Sequence, residues 1–469
     1  MIKNISIEHR VLITIALLFS IRLFHITTPP IEVSHNWRQT TSMMVARNFT
    51  DHGPDLLRPT IDETGTRVGV IGMEIPVLPA GIYLMSEVFG YDHWYGRLIV
   101  LFFSSVGIWY FFLLTRKRIQ EKYAWFATLA FAFSALFHLS RKVMPDPLSL
   151  SFVIMAVYFG WEYLESGFAK HGFAFLITAF LGAGIKIPFA GYLILLSIPF
   201  LQGSIPTKRK VVLVLLGTLA LFPVLYWYFV WNPKLSVEFG QWYNSGTSLS
   251  AGMKDIATHG LEVFDRICFS PFHAYSAFAL VILGVLAMIK KRESLLLRVW
   301  LWMIPVWMFF MAKSGFFFVH HGYYAMIFIP VFAWTIAFAL HQFKGRWVMG
   351  FAFVLCAEAF ANQQHDFFVH DRDKVKLQLE SIANSCSSPA DKVALVSNLN
   401  PNEFYFLHRK GWIVPADQTT PDQLLTLATE GAKCLFVPKA KYPELRFQLP
   451  MLFENVDYVV YDLKALTSS

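Results

Sequence analysis

Long apolar windows recur along the chain up to about residue 363 and constrain its fold more than any other feature. A helix needs about 20 apolar residues to cross the hydrocarbon core of a bilayer. About eleven windows approach that length, at residues 11–27, 97–115, 123–140, 147–163, 172–185, 187–201, 211–231, 272–289, 294–312, 322–341 and 347–363. With 55% hydrophobic residues, 15% charged residues and a mean hydropathy of +0.46, the composition excludes an ordinary soluble domain. The sequence therefore predicts a mainly α-helical, polytopic membrane protein.

Basic clusters between the windows orient the chain in the membrane. They lie at residues 116–118, 208–210, 290–292 and 344–346, and the positive-inside rule assigns them to the cytoplasm together with the N-terminus. The same rule explains the formal net charge of +8, so nucleic acid is not an expected partner. The outer segments are then residues 28–96, 141–146, 232–271 and 312–321, and the chain after residue 364 is also outside.

The first outer loop and the C-terminal segment have patterns of their own. Within the loop, about residues 28–96, the apolar stretch 71–88 is too broken to span, which predicts helices lying in the membrane interface. In the tail, residues 393–396, 434–437 and 458–461 have the pattern of strands, and 421–430 that of a helix with Thr420 as N-cap. We predict a membrane domain over 1–363 and a small periplasmic α/β domain over 364–469. For Cys386 and Cys434, a disulfide and two separate thiols both stay open.

Ionisable and polar side chains recur in the outer segments. Such groups are costly at membrane level, so each calls for a partner or a role. The candidates are His35, Arg38, Glu74, Asp146, Lys186, His320, His321 and Tyr324. In the predicted topology they lie near the same outer membrane surface, although they are far apart in sequence. This convergence is the main functional signal of the sequence.

These residue types suit the transfer of a sugar from a membrane-anchored phosphate. An active site outside the cytoplasm has no supply of nucleotide sugars, so its donor must arrive activated and tethered. A carboxylate or imidazole near the acceptor hydroxyl would remove its proton, and the candidates for this role are Glu74, Asp146 and His35. Cations and donors would stabilise the leaving phosphate, and the candidates are Arg38, Lys186, His320, His321 and Tyr324.

Five of these candidates also have a purely structural interpretation. The alternatives are that Glu74 is a solvated loop carboxylate, that Asp146 caps a helix, that His35 packs against Trp37, that Arg38 pairs with Glu32 or lipid headgroups, and that Lys186 extends to the membrane interface. Side chains of neighbouring helical residues diverge, which disfavours a metal ion held by the two adjacent histidines. A divalent cation stays open as a cofactor, and no metal ligands are assigned.

The motifs around these residues resemble a known family. His35-x-Trp-Arg-Gln39, Ala46-Arg-Asn-Phe49, Gly72-Met-Glu-x-Pro76 and Tyr405-x-x-x-Arg409-Lys-Gly-Trp412 are similar to bacterial members of glycosyltransferase family 39, in the superfamily of protein mannosyltransferases and lipid A aminoarabinose transferases. The resemblance implies a bacterial inner-membrane enzyme with acidic catalytic residues in the first periplasmic loop and a polyprenyl-phosphate sugar donor. This chain departs from the superfamily in having no carboxylate in residues 35–41. It also has Ile75 where aminoarabinose-transferring relatives have lysine.

The resemblance and the outer polar residues together predict a membrane glycosyltransferase. It would move a hexosyl or pentosyl group from a polyprenyl-phosphate donor to a glycan, lipid or protein acceptor on the periplasmic side, with inversion. Two other classes stay open. A transporter or flippase for lipid-linked substrates would need polar residues deep in several helices, and the apolar windows mostly lack them. A non-catalytic membrane scaffold is compatible with the missing first-loop carboxylate.

Overall fold

Helices dominate the computed structural model, which describes residues 6–32, 34–240, 246–398 and 400–467. In chain order the helices are α1 (Ile7–Arg22), α2 (Asn36–His52), α3 (Val77–Phe89), α4 (Tyr95–Leu114), α5 (Glu121–Phe133), α6 (Leu136–Leu139), α7 (Pro145–Ser166), α8 (Ala169–Ile185), α9 (Ser197–Phe200), α10 (Thr207–Tyr226), α11 (Asn232–Phe239), α12 (Leu249–Thr258), α13 (Gly260–Phe269), α14 (Tyr275–Lys291), α15 (Ser294–Ser314), α16 (Phe316–His320), α17 (Ile329–Leu340), α18 (Arg346–Gln363), α19 (Asp371–Lys374), α20 (Leu379–Cys386), α21 (Asn402–Leu407) and α22 (Pro421–Thr429). The strands are β1 (Lys392–Val396), β2 (Gly411–Val414), β3 (Ala432–Pro438), β4 (Met451–Glu454) and β5 (Tyr458–Asp462).

The chain forms two compact units. The first unit consists of Met1–Ile26, Trp94–Val230 and Asn244–Phe367, and the second of Thr27–His93, Trp231–Tyr243 and Phe368–Ser469. The first outer loop therefore belongs to the same unit as the C-terminal domain. This grouping differs from a linear division of the chain at residue 363, because the contacts that define a compact unit need not follow sequence order.

Several helical stretches of the described chain have the length and apolar composition needed to cross a membrane. Five meet both conditions, namely Tyr95–Ile119, Pro145–Ser166, Thr207–Phe239, Ser294–Ser314 and Gly322–Leu340, and Ala169–Ile185 is a shorter apolar helix. Every one of the eleven predicted windows contains helix. The prediction of a helical chain with several apolar spans is confirmed, whereas the number of crossings stays a prediction.

Burial differs sharply among these apolar helices. In the first unit, α7 and Gly322–Leu340 are almost entirely buried, and ring stacking such as that of Phe111 on Trp334 fills the space between helices. Ser294–Ser314 is comparably apolar, yet only 28% of it is buried. An apolar helix surface that no protein covers is stable in hydrocarbon, where its backbone hydrogen bonds are already satisfied internally. We therefore expect the uncovered apolar faces of these helices to contact lipid.

The second unit contains a five-stranded mixed sheet of order β2-β1-β3-β5-β4. β1 is parallel to β2 and β3, and β5 is antiparallel to β3 and β4. The central strands are apolar runs, as expected where both faces of a sheet are covered. The three predicted strands and the helix at 421–430 are all present. The Thr420 hydroxyl accepts a hydrogen bond from the Gln423 backbone N–H, which confirms the predicted N-cap.

A short piece of the first outer loop extends this sheet. Glu63 forms a parallel bridge with Gly411, the first residue of β2. The Gly411 carbonyl accepts hydrogen bonds from the backbone N–H groups of Thr64 and Gly65, at 3.0 and 2.7 Å. An open strand edge would expose unpaired backbone groups, and the loop satisfies them at this end of β2.

Candidate functional site

Three of the predicted site residues, His35, Arg38 and Glu74, belong to the second unit. His35 is the residue before α2 and has a left-handed backbone, with φ of 65°. Arg38 lies in the first turn of α2, and Glu74 lies just before α3. The Arg38 guanidinium donates to the Glu74 carboxylate in a largely buried ion pair. The sequence assigned these two side chains opposite roles, and the structure makes them partners.

The second group of predicted residues lies in the first unit, around the start of α7. Asp146 is the second residue of α7, between Pro145 and Pro147, and is 2% exposed. Proline is well suited to the first turn of a helix because that turn leaves its N–H groups without partners. The carboxylate Oδ1 of Asp146 lies 3.8 Å from Lys186 Nζ. A buried carboxylate thus faces a lysine ammonium that is partly accessible.

Lys186 reaches this position because the helix breaks there. α8 ends at Ile185, Lys186 is extended with φ of −156°, and a 3₁₀ helix runs over Ile187–Leu196. The Ser149 hydroxyl, one turn into α7, donates to the carbonyl of Gly182 at 2.6 Å and lies 3.3 Å from that of Lys186. These bonds hold the broken end of α8 against the first turn of α7, which fixes the Asp146 and Lys186 side chains near each other.

The aromatic segment after α16 completes this group. Lys186 Nζ lies 5.8 Å from the ring centre of Tyr324, within the range of a cation–π contact. The His321 ring packs against Tyr324, with centroids 5.5 Å apart. His320 instead packs on Phe316, at 3.9 Å, so the two adjacent histidines diverge. Within the first unit the structure therefore brings Asp146, Lys186, Tyr324 and His321 together, and leaves His320 outside the group.

A metal centre is not formed by these side chains. Over the part of the chain that the structure describes, no three His, Cys, Asp or Glu side chains lie close enough together to hold a metal ion. The two groups of site residues belong to different units, and the meeting of all eight residues at one surface stays a prediction.

Sequence reasoning missed several buried charged residues. Lys142 is fully buried, and its Nζ lies 2.7 Å from Oδ1 of Asp366, which follows α18. His138 lies beside the same carboxylate, with Nε2 at 3.5 Å from Oδ2. Lys142 lies within the outer segment 141–146, so a charge at membrane level was a usable signal. Its partner could not be identified because 224 positions separate the two residues.

A second buried network supports α2 within the second unit. The Arg47 guanidinium donates to Asp62 Oδ2 at 2.8 Å and to the Tyr405 carbonyl at 2.7 Å, and it lies over the Tyr405 ring at 4.6 Å. Asn48 donates to the other Asp62 oxygen at 3.0 Å. In the adjacent loop, burial raises the pKa of Glu63 from its ordinary value of 4.5 to about 7. The helix α2 thus carries Arg38 in its first turn and, nine residues later, Arg47, whose buried contacts hold the helix in place.

Both cysteines of the C-terminal domain are free and buried. Burial is the main cause that raises the pKa of Cys434 to about 12, and nearby Cys386 adds to the shift. The structure therefore has two separate thiols where the sequence left a disulfide open.

Comparison with known proteins supplies an independent finding. Residues 74–227 match the family model described as dolichyl-phosphate-mannose-protein mannosyltransferase, a segment that includes Glu74, Asp146 and Lys186. No curated protein matches the chain.

Solved structures share the fold. Apo ArnT from Cupriavidus metallidurans is 13% identical with a TM-score of 0.66, and the match covers 99% of this chain and 100% of that one. ArnT of the same organism bound to undecaprenyl phosphate is 12% identical with a TM-score of 0.62, covering 97% and 98%. The archaeal oligosaccharyltransferase AglB from Archaeoglobus fulgidus, in complex with an inhibitory peptide and a dolichol-phosphate, is 12% identical with a TM-score of 0.51, covering 92% and 70%. The chain thus has the fold of a multi-pass integral membrane protein with a C-terminal mixed sheet.

Proposed function

We propose that the chain is a glycosyltransferase of family 39 that transfers a sugar from a polyprenyl-phosphate donor, a proposal supported by the match of residues 74–227 to the family model described as dolichyl-phosphate-mannose-protein mannosyltransferase. The acceptor hydroxyl belongs to a glycan, lipid or protein on the periplasmic side of a bacterial inner membrane. The undecaprenyl phosphate bound to ArnT, a protein of the same fold, supports a donor of this class. The C-terminal domain is then periplasmic and the N-terminus cytoplasmic.

The observation that carries this proposal is the pairing of carboxylates with cations. Asp146 faces Lys186 in the first unit, and Glu74 is bonded to Arg38 in the second. An anionic phosphate that binds either cation competes with the carboxylate for it. The carboxylate is then released to accept a proton, so that donor binding itself prepares the base.

In the reaction, the acceptor O–H gives its proton to a carboxylate, and the acceptor oxygen bonds to the anomeric carbon. The bond from that carbon to the phosphate oxygen breaks, and its electron pair stays on the phosphate. Asp146 and Glu74 are the candidate bases, with His35 the imidazole alternative. Lys186 and Arg38 are the candidates for stabilising the leaving phosphate, Lys186 as a point charge and Arg38 through its planar fork. Attack opposite the leaving group inverts the anomeric centre.

Turnover of a labelled polyprenyl-phosphate sugar with candidate acceptors tests the assignment. We expect Asp146→Asn or Glu74→Gln to lower kcat by about 10²- to 10⁴-fold, as for loss of a general base. Lys186→Gln should lower it by about 10²- to 10³-fold, as for loss of charge stabilisation. The matched controls are Glu87→Gln, which changes an exposed carboxylate of α3, and Lys170→Gln, which changes an exposed lysine of α8. Both variants should keep the kcat of the wild type.

Two outcomes contradict the proposal in different ways. Undiminished turnover of both carboxylate variants would remove them as bases. Label that crosses vesicle membranes without joining an acceptor would indicate transport instead of transfer. The orientation is tested separately by cysteines introduced at exposed positions of the C-terminal domain, which an impermeant reagent should label in intact spheroplasts.

A further inference from the structure

A cluster of buried polar side chains lies in the first unit. Two of its members come shortly before Asp146 in the chain, and two come from the end of α18 and the residues after it. The cluster consists of His138, Lys142, Gln363 and Asp366, each at most 2% exposed. Lys142 Nζ lies 2.7 Å from Asp366 Oδ1, and His138 Nδ1 lies 2.7 Å from Gln363 Oε1. The second carboxylate oxygen of Asp366 faces His138 Nε2 at 3.5 Å. Asp366 is thus held between a lysine and a histidine of one segment.

The backbone around Asp366 is bound to the same segment. Arg141, next to Lys142, donates to the carbonyl of Asp366 at 3.1 Å and to that of Phe24 at 2.5 Å. Its guanidinium also lies 4.2 Å from the ring centre of Phe367. The stretch from His138 to Lys142 is therefore fixed on several sides, mostly by buried groups.

Little chain separates this fixed stretch from Asp146. The Met144 backbone N–H donates to the Lys142 carbonyl at 2.8 Å, which closes the chain into a tight turn. Pro145 and Pro147 then restrict the backbone on both sides of Asp146. A shift of Lys142 is therefore passed directly to the start of α7, and with it to the Asp146 carboxylate beside Lys186.

We propose that Asp366 is a positioning residue for the transfer reaction, acting through Lys142 to hold Asp146 in its reactive place. This inference rests on the proposed function, because it assigns Asp146 to the reacting centre. A buried ion pair contributes little to stability compared with apolar residues of similar size, but in some proteins it specifies the position of the groups it joins, and this is the role assigned to it here. A displacement of about 1 Å at a reacting group can lower the rate on the order of 10²-fold.

The test separates position from stability with three variants. Asp366→Leu leaves the Lys142 ammonium without its carboxylate, so both thermal stability and kcat should fall. The double variant Lys142→Met/Asp366→Leu removes both charges, and its stability should recover. Its kcat should stay on the order of 10²-fold below wild type, because the tie to the start of α7 is still missing. Asp366→Glu keeps the charge and should restore most of kcat, while KM for the donor changes little in all of them.

The matched control is the Asp391–Lys433 ion pair of the C-terminal domain, at 2.8 Å. The double variant Lys433→Met/Asp391→Leu should keep wild-type kcat. In an Asp146→Asn background, Asp366→Leu should slow the reaction no further, because both changes act on one group.

The outcomes distinguish the two proposals. If Lys142→Met/Asp366→Leu regains kcat together with stability, Asp366 has only a structural role and the inference is wrong. Additive losses in the Asp146→Asn background would also overturn it. Wild-type turnover of Asp146→Asn itself would instead contradict the assignment of the base, and the inference with it.

Discussion

Removal of the Arg47 side chain should destabilise the second unit more than loss of any exposed arginine. In Arg47→Met, the apolar replacement fills part of the volume but leaves the Asp62 carboxylate, 4% exposed, without its guanidinium. The carbonyl of Tyr405 also loses its hydrogen bond from Arg47. Breaking a buried ion pair at one partner costs about 3–5 kcal/mol of the free energy of unfolding.

This magnitude predicts two measurable changes. For a unit of about 180 residues, each kcal/mol shifts Tm by about 2–4 °C, so Tm should fall by about 6–20 °C. Local opening of the unit should become roughly 10²- to 4 × 10³-fold more frequent, because each 1.4 kcal/mol is a factor of ten.

Cys434 provides a probe specific to this unit, since it is fully buried in β3 and its pKa is raised to about 12, mainly by burial. With Cys268, Cys356 and Cys386 replaced by serine, the labelling rate of Cys434 by a thiol reagent reports opening of the sheet. Arg47→Met should raise that rate by the factor given above. The control is Arg67→Met, because Arg67 is exposed and the one described hydrogen bond of its side chain goes to a backbone carbonyl, that of Gly240.

The double variant Arg47→Met/Asp62→Leu completes the test. Removing both charges leaves no buried unpaired ion, so part of the lost stability should return. The reasoning is refuted if Arg47→Met labels no faster than Arg67→Met, or if the double variant labels faster than Arg47→Met alone.

Two further predictions concern the place where the first outer loop joins the sheet. Between pH 4.5 and about 7 the folded state holds a proton on Glu63 that the unfolded chain has released, so stability of the second unit should decline as pH rises through this window. Glu63→Gln should remove that part of the pH dependence of Cys434 labelling, and an unchanged profile would contradict the raised pKa. Gly411 has a φ of 154°, and a Cβ there would lie 1.8 Å from the Val393 carbonyl oxygen. Gly411→Ala should therefore disrupt pairing of β1 with β2 and lower Tm, whereas Gly431→Ala, where a Cβ meets nothing within 4 Å, serves as a control for a positive φ alone.

Local patterns made the elements of this fold predictable. Apolar windows located helices such as α4 and α7 because a bilayer selects length and composition directly. The strands around Val393 and Cys434 were predictable because buried parallel strands are continuous apolar runs. The N-cap at Thr420 followed from the order of its neighbours, since the capping bond spans only three residues.

Partnerships across the sequence were not predictable in the same way. Arg38 and Glu74 were each identified as functional candidates, but nothing in a single sequence indicates that they bond to each other. The same holds for Lys142 with Asp366 and for Arg47 with Tyr405, which are brought together only by the tertiary fold. Pattern reasoning finds charged residues in unusual places, whereas the partner of each depends on packing that has no local signature.

The second unit is assembled from three separate stretches of chain, and this has a consequence for biosynthesis. Thr27–His93 leaves the ribosome before the membrane helices that follow it, and Phe368–Ser469 leaves after them. Until then Arg47 and Asp62 have neither the Tyr405 carbonyl nor the Gly411 backbone to bind. The early stretch therefore stays without these contacts while the intervening helices insert. A nascent chain that ends before residue 368 cannot complete this unit. Contacts between distant stretches also form slowly, so closure of this unit is expected to be a late step of maturation.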